Sequence, residues 1–169
     1  MPITRKADFD HLDRSRLRSK GTYALLMWVS TPSRIPIRLS GGFVADRGWY
    51  VYIGSAFGPG GLAARVQHHM TPSPRTHWHI DEFKSAAKLR EIWFTYDTVK
   101  RESLWTGIFG AMRASSVPCL GFGASDCDGE THLFGFAAKP SKANFRRRLQ
   151  IAMPAHARVY RKVLGRATF

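Results

Sequence analysis

A mixed α/β domain of the α+β kind, a small antiparallel β-sheet flanked by helices, is the fold class this sequence predicts. Three observations predict it. Two β-prone runs, Tyr23-Ala24-Leu25-Leu26-Met27-Trp28-Val29 and Trp49-Tyr50-Val51-Tyr52-Ile53-Gly54, occupy the first third of the chain. The period then changes: Leu62, Val66 and Met70 recur every four residues, as on one face of a helix. The turn Gly58-Pro59-Gly60-Gly61 separates the two regimes, and its glycines permit positive φ.

Each element follows in order. Residues 22–30 are β-like, and 23–29 within them are apolar throughout, as in a strand buried on both faces. Thr31-Pro32-Ser33 is turn chemistry, and residues 35–39 alternate apolar and basic like a half-exposed strand, broken by Gly41-Gly42. Residues 49–54 are a further strand. The helix at 62–70 ends at Thr71-Pro72-Ser73-Pro74. A helix over 77–87 places Ile80, Phe83, Ala86 and Ala87 on one face, and one over 102–114 places Leu104, Ile108 and Met112 on another. Between them lies a strand at 89–96. A glycine-bearing loop at 121–125 precedes a last strand at 132–137. Residues 1–20 form a polar arm, or a short helix over 8–17 whose acidic start and basic end suit the helix dipole. The domain proper spans 21–138. Residues 139–169 carry nine Lys and Arg and no acid, and form a basic helical tail with helices at 142–152 and 156–164 split by Pro154.

Charge narrows the partners. The 26 Lys+Arg against 12 Asp+Glu give a net charge of +14. Such an excess favours a polyanion, nucleic acid or an anionic surface, with binding that weakens steeply in salt. The 44% hydrophobic content supplies a core and excludes disorder over the whole chain. Two cysteines, Cys119 and Cys127, make no disulfide framework. The N-terminus opens no apolar run, and the longest apolar stretch, near residues 23–29, is far too short to span a bilayer. A reducing, cytoplasmic setting without a membrane partner is therefore expected.

The chemistry-bearing residues follow one order along the chain. Gly21-Thr22-Tyr23 opens the first strand and Tyr52-Ile53-Gly54 closes a later one. A helix then supplies Arg65 and, one turn on, His69. A further helix opens with Glu102. This order resembles the GIY-YIG nuclease superfamily. Tyr50-Val51-Tyr52-Ile53-Gly54-Ser55-Ala56, Gly58-Pro59-Gly60-Gly61-Leu62, His77-Trp78-His79-Ile80-Asp81, and Ser125-Asp126-Cys127 with His132-Leu133-Phe134 resemble its DUF123 branch. The resemblance covers roughly residues 18 to 138.

The resemblance implies metal-dependent hydrolysis of DNA phosphodiesters, with DNA favoured over RNA. Tyr23 would position or deprotonate the attacking water. Tyr52 would orient water or phosphate beside it. Arg65 would clamp the scissile phosphate, for which its planar fork is suited. His69 would support the same site. Glu102 would hold Mg²⁺, or Mn²⁺; a single carboxylate suits Mg²⁺, which keeps most of its waters. Thr22, between Gly21 and Tyr23, would point away from the site. Taken singly, each residue also has a structural reading: aromatics pack in strands, and a carboxylate at a helix start answers the dipole.

Further candidates lie around this set. Gly60 and Gly61 precede a helix start and would let backbone N–H groups cradle a nucleic-acid phosphate; the loop lacks the Lys-Ser/Thr ending of a nucleotide-binding P-loop. Arg146, Arg147, Arg148, Arg158, Arg161 and Lys162 form an electrostatic nucleic-acid contact, with Arg166 beyond them. Phe145 and Tyr160 either stack on bases or dock the tail on the core. His77, His79 and Asp81 admit a zinc reading, with Cys119, Cys127 and His132 as further ligands, or a structural one in which they cap and pin a helix. The alternative to an endonuclease is a nucleic-acid-binding module without catalysis on the same fold. A scaffold whose charge serves proteins or membrane is the third reading.

Overall fold

The computed structural model describes residues 16, 18–37, 41–71, 78–123 and 131–165. The expected helix over 8–17, His77, Cys127 and Arg166 lie outside them, apart from Arg16. Among the described residues eleven elements run in order: β1 (Gly21–Val29), β2 (Ser33–Ile35), β3 (Phe43–Ala45), β4 (Gly48–Ala56), α1 (Gly61–Met70), α2 (His79–Phe83), β5 (Lys88–Tyr96), α3 (Glu102–Gly110), β6 (Leu133–Phe136), α4 (Lys142–Ala152) and β7 (Tyr160–Val163). Five strands form one sheet in the order β6-β4-β1-β5-β7, and every pairing is antiparallel. The predicted α+β class is the observed one.

β1 lies at the centre of the sheet, which explains why its sequence carries no polar face. Tyr23, Leu25, Met27 and Val29 pack on one side with Leu62 and Val66 of α1 and Ile80 and Phe83 of α2. Ala24 and Leu26 pack on the other side with Trp105 and Phe109 of α3 and Phe145 and Leu149 of α4. Successive strand side chains point to opposite faces, so one strand serves two cores. Among the described residues, no helix is long and apolar enough to cross a membrane.

Three expectations need correction. The strand placed at 35–39 is instead β2, which pairs only with β3 in a separate two-stranded ribbon. The helix placed at 77–87 is the single turn and a half of α2, capped by Asp81 Oδ2 accepting from the Trp78 N–H at 3.3 Å. The helix placed at 156–164 is β7, an edge strand of the main sheet. Its aromatic and β-branched residues Tyr160 and Val163 suit a strand, and β5 offers an edge for it to pair with. The helix at 142–152 is α4, with the predicted bounds. The basic tail is thus part of the body. Phe145 is fully buried and stacks on Phe109 at 4.6 Å, so it docks α4 on the core and does not meet bases.

β7 also brings a cation to a buried acid. Arg161 grips Glu91 of β5 with two bonds, Nε at 2.8 Å and Nη2 at 2.6 Å, while Lys139 and the Trp93 indole N–H complete the shell. The Glu91 side chain is only 4% exposed. Burial alone would raise its pKa, but the bonds from Arg161, Lys139 and Trp93 outweigh it and hold the carboxyl at about 2. The stabilisation is therefore complete above the ordinary carboxylate pKa of 4.5 and is lost as pH falls towards 2. Thermal melts across this window are expected to show that loss. Arg161→Ala should cost about 1.5–3 kcal/mol at neutral pH, because a charged hydrogen-bond partner of a buried group is removed. A variant as stable as the wild type would show that Lys139 and Trp93 suffice.

Candidate active site

The register of β1 and β4 brings the two tyrosine motifs together. Tyr23 lies opposite Gly54, and Leu25 opposite Tyr52. Tyr23 and Tyr52 are therefore diagonal neighbours on one face of the sheet. Gly54 makes room for this: a Cβ there would lie 2.4 Å from the Tyr23 hydroxyl and 2.5 Å from Cζ. The Tyr23 ring is 3% exposed and has nowhere to retreat. Gly54→Ala is expected to destabilise the fold by about 1–3 kcal/mol through overpacking, and to displace the Tyr23 hydroxyl. A melt unchanged from wild type would refute this.

α1 covers the same face and delivers His69. The Tyr23 hydroxyl and His69 Nε2 are hydrogen-bonded at 2.8 Å, and the His69 ring also meets Tyr52 edge-on at 6.4 Å between centroids. Burial, reinforced by the Lys84 cation, lowers the His69 pKa to about 3, so the ring is neutral. Its Nδ1 is buried and has no hydrogen-bond partner among the described residues. Arg65, one turn earlier on α1, lays its guanidinium on the Trp78 ring at 4.4 Å.

Glu102 sits in the first turn of α3, where the dipole favours a carboxylate. Its Oε1 accepts from His132 Nδ1 at 2.9 Å, and Ser55 bonds the same carboxylate. Burial would raise its pKa, but these bonds outweigh burial and lower it, so Glu102 is ionised. Thr22 fixes where α3 begins: its Oγ1 accepts from the Arg101 N–H at 3.1 Å. The residue between Gly21 and Tyr23 therefore faces away from the tyrosines, as predicted, and registers Glu102 against them.

Charge at the site is arranged around the phenols. Burial raises the Tyr23 pKa well above the usual tyrosine range; Tyr52, Glu102 and Asp81 add to the rise and Arg65 opposes it. Tyr52 is raised likewise, by burial first and then by Glu102, again opposed by Arg65. Both phenols are thus held protonated, with one cation, Arg65, and two carboxylates, Glu102 and Asp81, acting on each.

His69 meets both Tyr23 and Tyr52, and Arg65 and Glu102 both act electrostatically on the two tyrosines. The expected phosphate cradle is different. The N–H groups of Gly61 and Leu62 donate to Gly58 O and Ser19 O, so protein occupies the helix start. Gly61, at φ +58°, is required there because a Cβ would lie 2.3 Å from Arg18 O. Of the basic residues, Arg146, Arg147 and Arg158 are exposed, and Arg148 reaches Ala111 O at 3.4 Å. Arg161 is bound to Glu91 and Lys162 is buried, so neither is a free phosphate contact.

The histidines divide differently from expectation as well. His79 Nδ1 accepts from the Gly123 N–H at 3.3 Å. His132 turns to Glu102. Asp81 meets His68, at 3.2 Å, as its described histidine partner. His68, Ser55 and the role of His132 were missed; the doublet His68-His69 was the one available signal.

A model of the family described as "Domain of unknown function DUF123" matches residues 22–153. No curated protein sequence matches the chain significantly. No solved structure does either.

Proposed function

This chain belongs to the DUF123 family, and we propose that it is a metal-dependent endonuclease of the GIY-YIG type acting on DNA. One observation carries the reading: a buried Tyr23–His69 hydrogen bond lies beside Tyr52, with the charges of Arg65 and Glu102 acting on both phenols. A packing role for two tyrosines does not call for a cation and an ionised carboxylate of opposite effect around them.

Glu102 fits a hard divalent cation. Its carboxylate is ionised, its side chain is 24% exposed, and His132 and Ser55 hold it in one orientation. Mg²⁺ or Mn²⁺ bound there supplies charge neutralisation at the scissile phosphate. Arg65, stacked on Trp78, presents its remaining donors to phosphate oxygens. Tyr23, fixed by His69, directs its hydroxyl at the attacking water, and Tyr52 holds a second contact to water or phosphate. Arg16, Arg18 and Lys20 line a furrow with Tyr96 next to α3, a path for further backbone phosphates, while Arg101 on its wall is tied to Asp97 at 2.7 Å.

A second reading, a nucleic-acid module without catalysis, is favoured by the protonated state of both phenols, which is poor for a base. Incubation with supercoiled, branched and single-stranded DNA, and RNA, in Mg²⁺, Mn²⁺ or EDTA separates the two. Metal-dependent cutting supports the nuclease. Salt-sensitive binding with no cutting in any metal moves the assignment to the binding module.

A further inference from the structure

We infer that His68, His69 and Asp81 form a binding site for a borderline divalent cation of the Zn²⁺ class, separate from Glu102. One ligand atom from each of the three lies within 4.8 Å of the other two. Imidazole nitrogen and carboxylate oxygen are the donors that Zn²⁺ takes. His68 Nε2 and Asp81 Oδ1 are 3.2 Å apart. With bonds of about 2.0–2.1 Å, a tetrahedral site has ligands about 3.3 Å apart. These two ligands are therefore already spaced for a cation, which would replace the hydrogen bond between them. The three ligand atoms lie within 4.8 Å of one another, so His69 must close by up to about 1.5 Å to complete the set.

A second observation points to the same ligand. The His69 side chain is buried, its Nε2 is bonded to Tyr23, and its Nδ1 has no partner among the described residues. A buried ring nitrogen without a partner is costly and calls for an explanation. A cation on Nδ1 supplies the missing partner and fixes the tautomer. Nε2 then carries the proton and donates to the Tyr23 oxygen, leaving the phenol proton to turn towards substrate.

The surrounding charges are consistent with a site now held by protein cations. Lys84 Nζ lies 3.4 Å from Asp81 Oδ1 and 3.5 Å from His68 O. Its side chain is 16% exposed and reaches solvent by rotation. Arg65 is the other cation nearby, turned onto Trp78. Three protein ligands leave a fourth position for water or an anion. The inference shares His69 with the nuclease reading but does not depend on it, since that reading places its cation on Glu102.

The test uses the full chain, stripped with EDTA and titrated with Co²⁺ as a spectroscopic substitute for Zn²⁺, followed by Zn²⁺ competition. One Co²⁺ per chain with ligand-field bands of tetrahedral strength is expected. His68→Gln and Asp81→Asn should each weaken binding at least about tenfold, since each removes one of three ligands. Lys84→Met should tighten it, a change that a purely structural Asp81 would not produce. Asp81 also caps α2, so its variant is accepted only with a wild-type circular dichroism spectrum; His68→Gln, on a half-buried side chain, carries the test alone if Asp81→Asn fails to fold. No stoichiometric binding by the wild type, or binding undisturbed by His68→Gln, overturns the inference. Cleavage assays in Mg²⁺ are scored separately, so failure of one reading leaves the other standing.

Discussion

Glu102→Gln is expected to reduce metal-dependent cleavage at least a hundredfold, about 3 kcal/mol in the transition state, while leaving fold and DNA binding in EDTA intact. Glutamine keeps the size of the side chain and a carbonyl oxygen that accepts from His132 Nδ1 and Ser55, the two bonds that orient the carboxylate. The start of α3 is secured independently by Thr22 Oγ1. What the substitution removes is the charge. A formal charge matters twice here, because a hard cation needs an anionic oxygen and because Glu102 acts on both phenols. Circular dichroism and a DNA-binding titration accompany the kinetics. Full cleavage by a folded Glu102→Gln would remove this residue from the site and with it the metal assignment.

Phe145→Ala is expected to produce the largest loss of stability, about 3–5 kcal/mol. In a chain of this size that corresponds to a fall in Tm on the order of 10 °C. The ring is fully buried, with Phe109 at 4.6 Å, Trp105 at 5.0 Å and Trp93 at 5.6 Å. Three large rigid aromatics around one position cannot collapse into the space, so the cavity cost is paid nearly in full. A thermal melt checks the value. A shift of less than a few degrees would mean that α4 contributes little to the core, as a detached tail would.

The parts of the fold that were legible in the sequence share one property: local pattern and tertiary role agree. β1 reads as buried on both faces because it is the central strand, and α4 reads with its full bounds because Ser141 caps it and Phe145 and Leu149 fall four apart. β7 was illegible because Arg161 and Lys162 interrupt its apolar residues; the strand is selected by pairing with β5 and by Glu91, neither of which is local. β3, three residues long, is too short to show a period. The meeting of Tyr23, Tyr52 and His69 on one face was readable, since two strand motifs and one helical turn bring them there. The supports of Glu102 were not. Ser55 and His132 come from β4 and from the residue before β6, and nothing in either segment announces the carboxylate they hold. The zinc reading fell on His77 and Asp81 because a helix was assumed to begin at 77, whereas α2 begins at His79 and Asp81 meets His68 across to α1.

β7 also bears on how copies of this chain treat one another. An exposed strand edge is a template for another molecule's strand, and a chain this rich in aromatics would be exposed to that hazard. The outer strand here is four residues long and carries Arg161 and Lys162. Short length and the buried, inward-pointing charge of Lys162 make it a poor template. The cations tied inward here, Arg161 to Glu91 and Lys162 in the interior, thus also keep this sheet edge from recruiting a second copy.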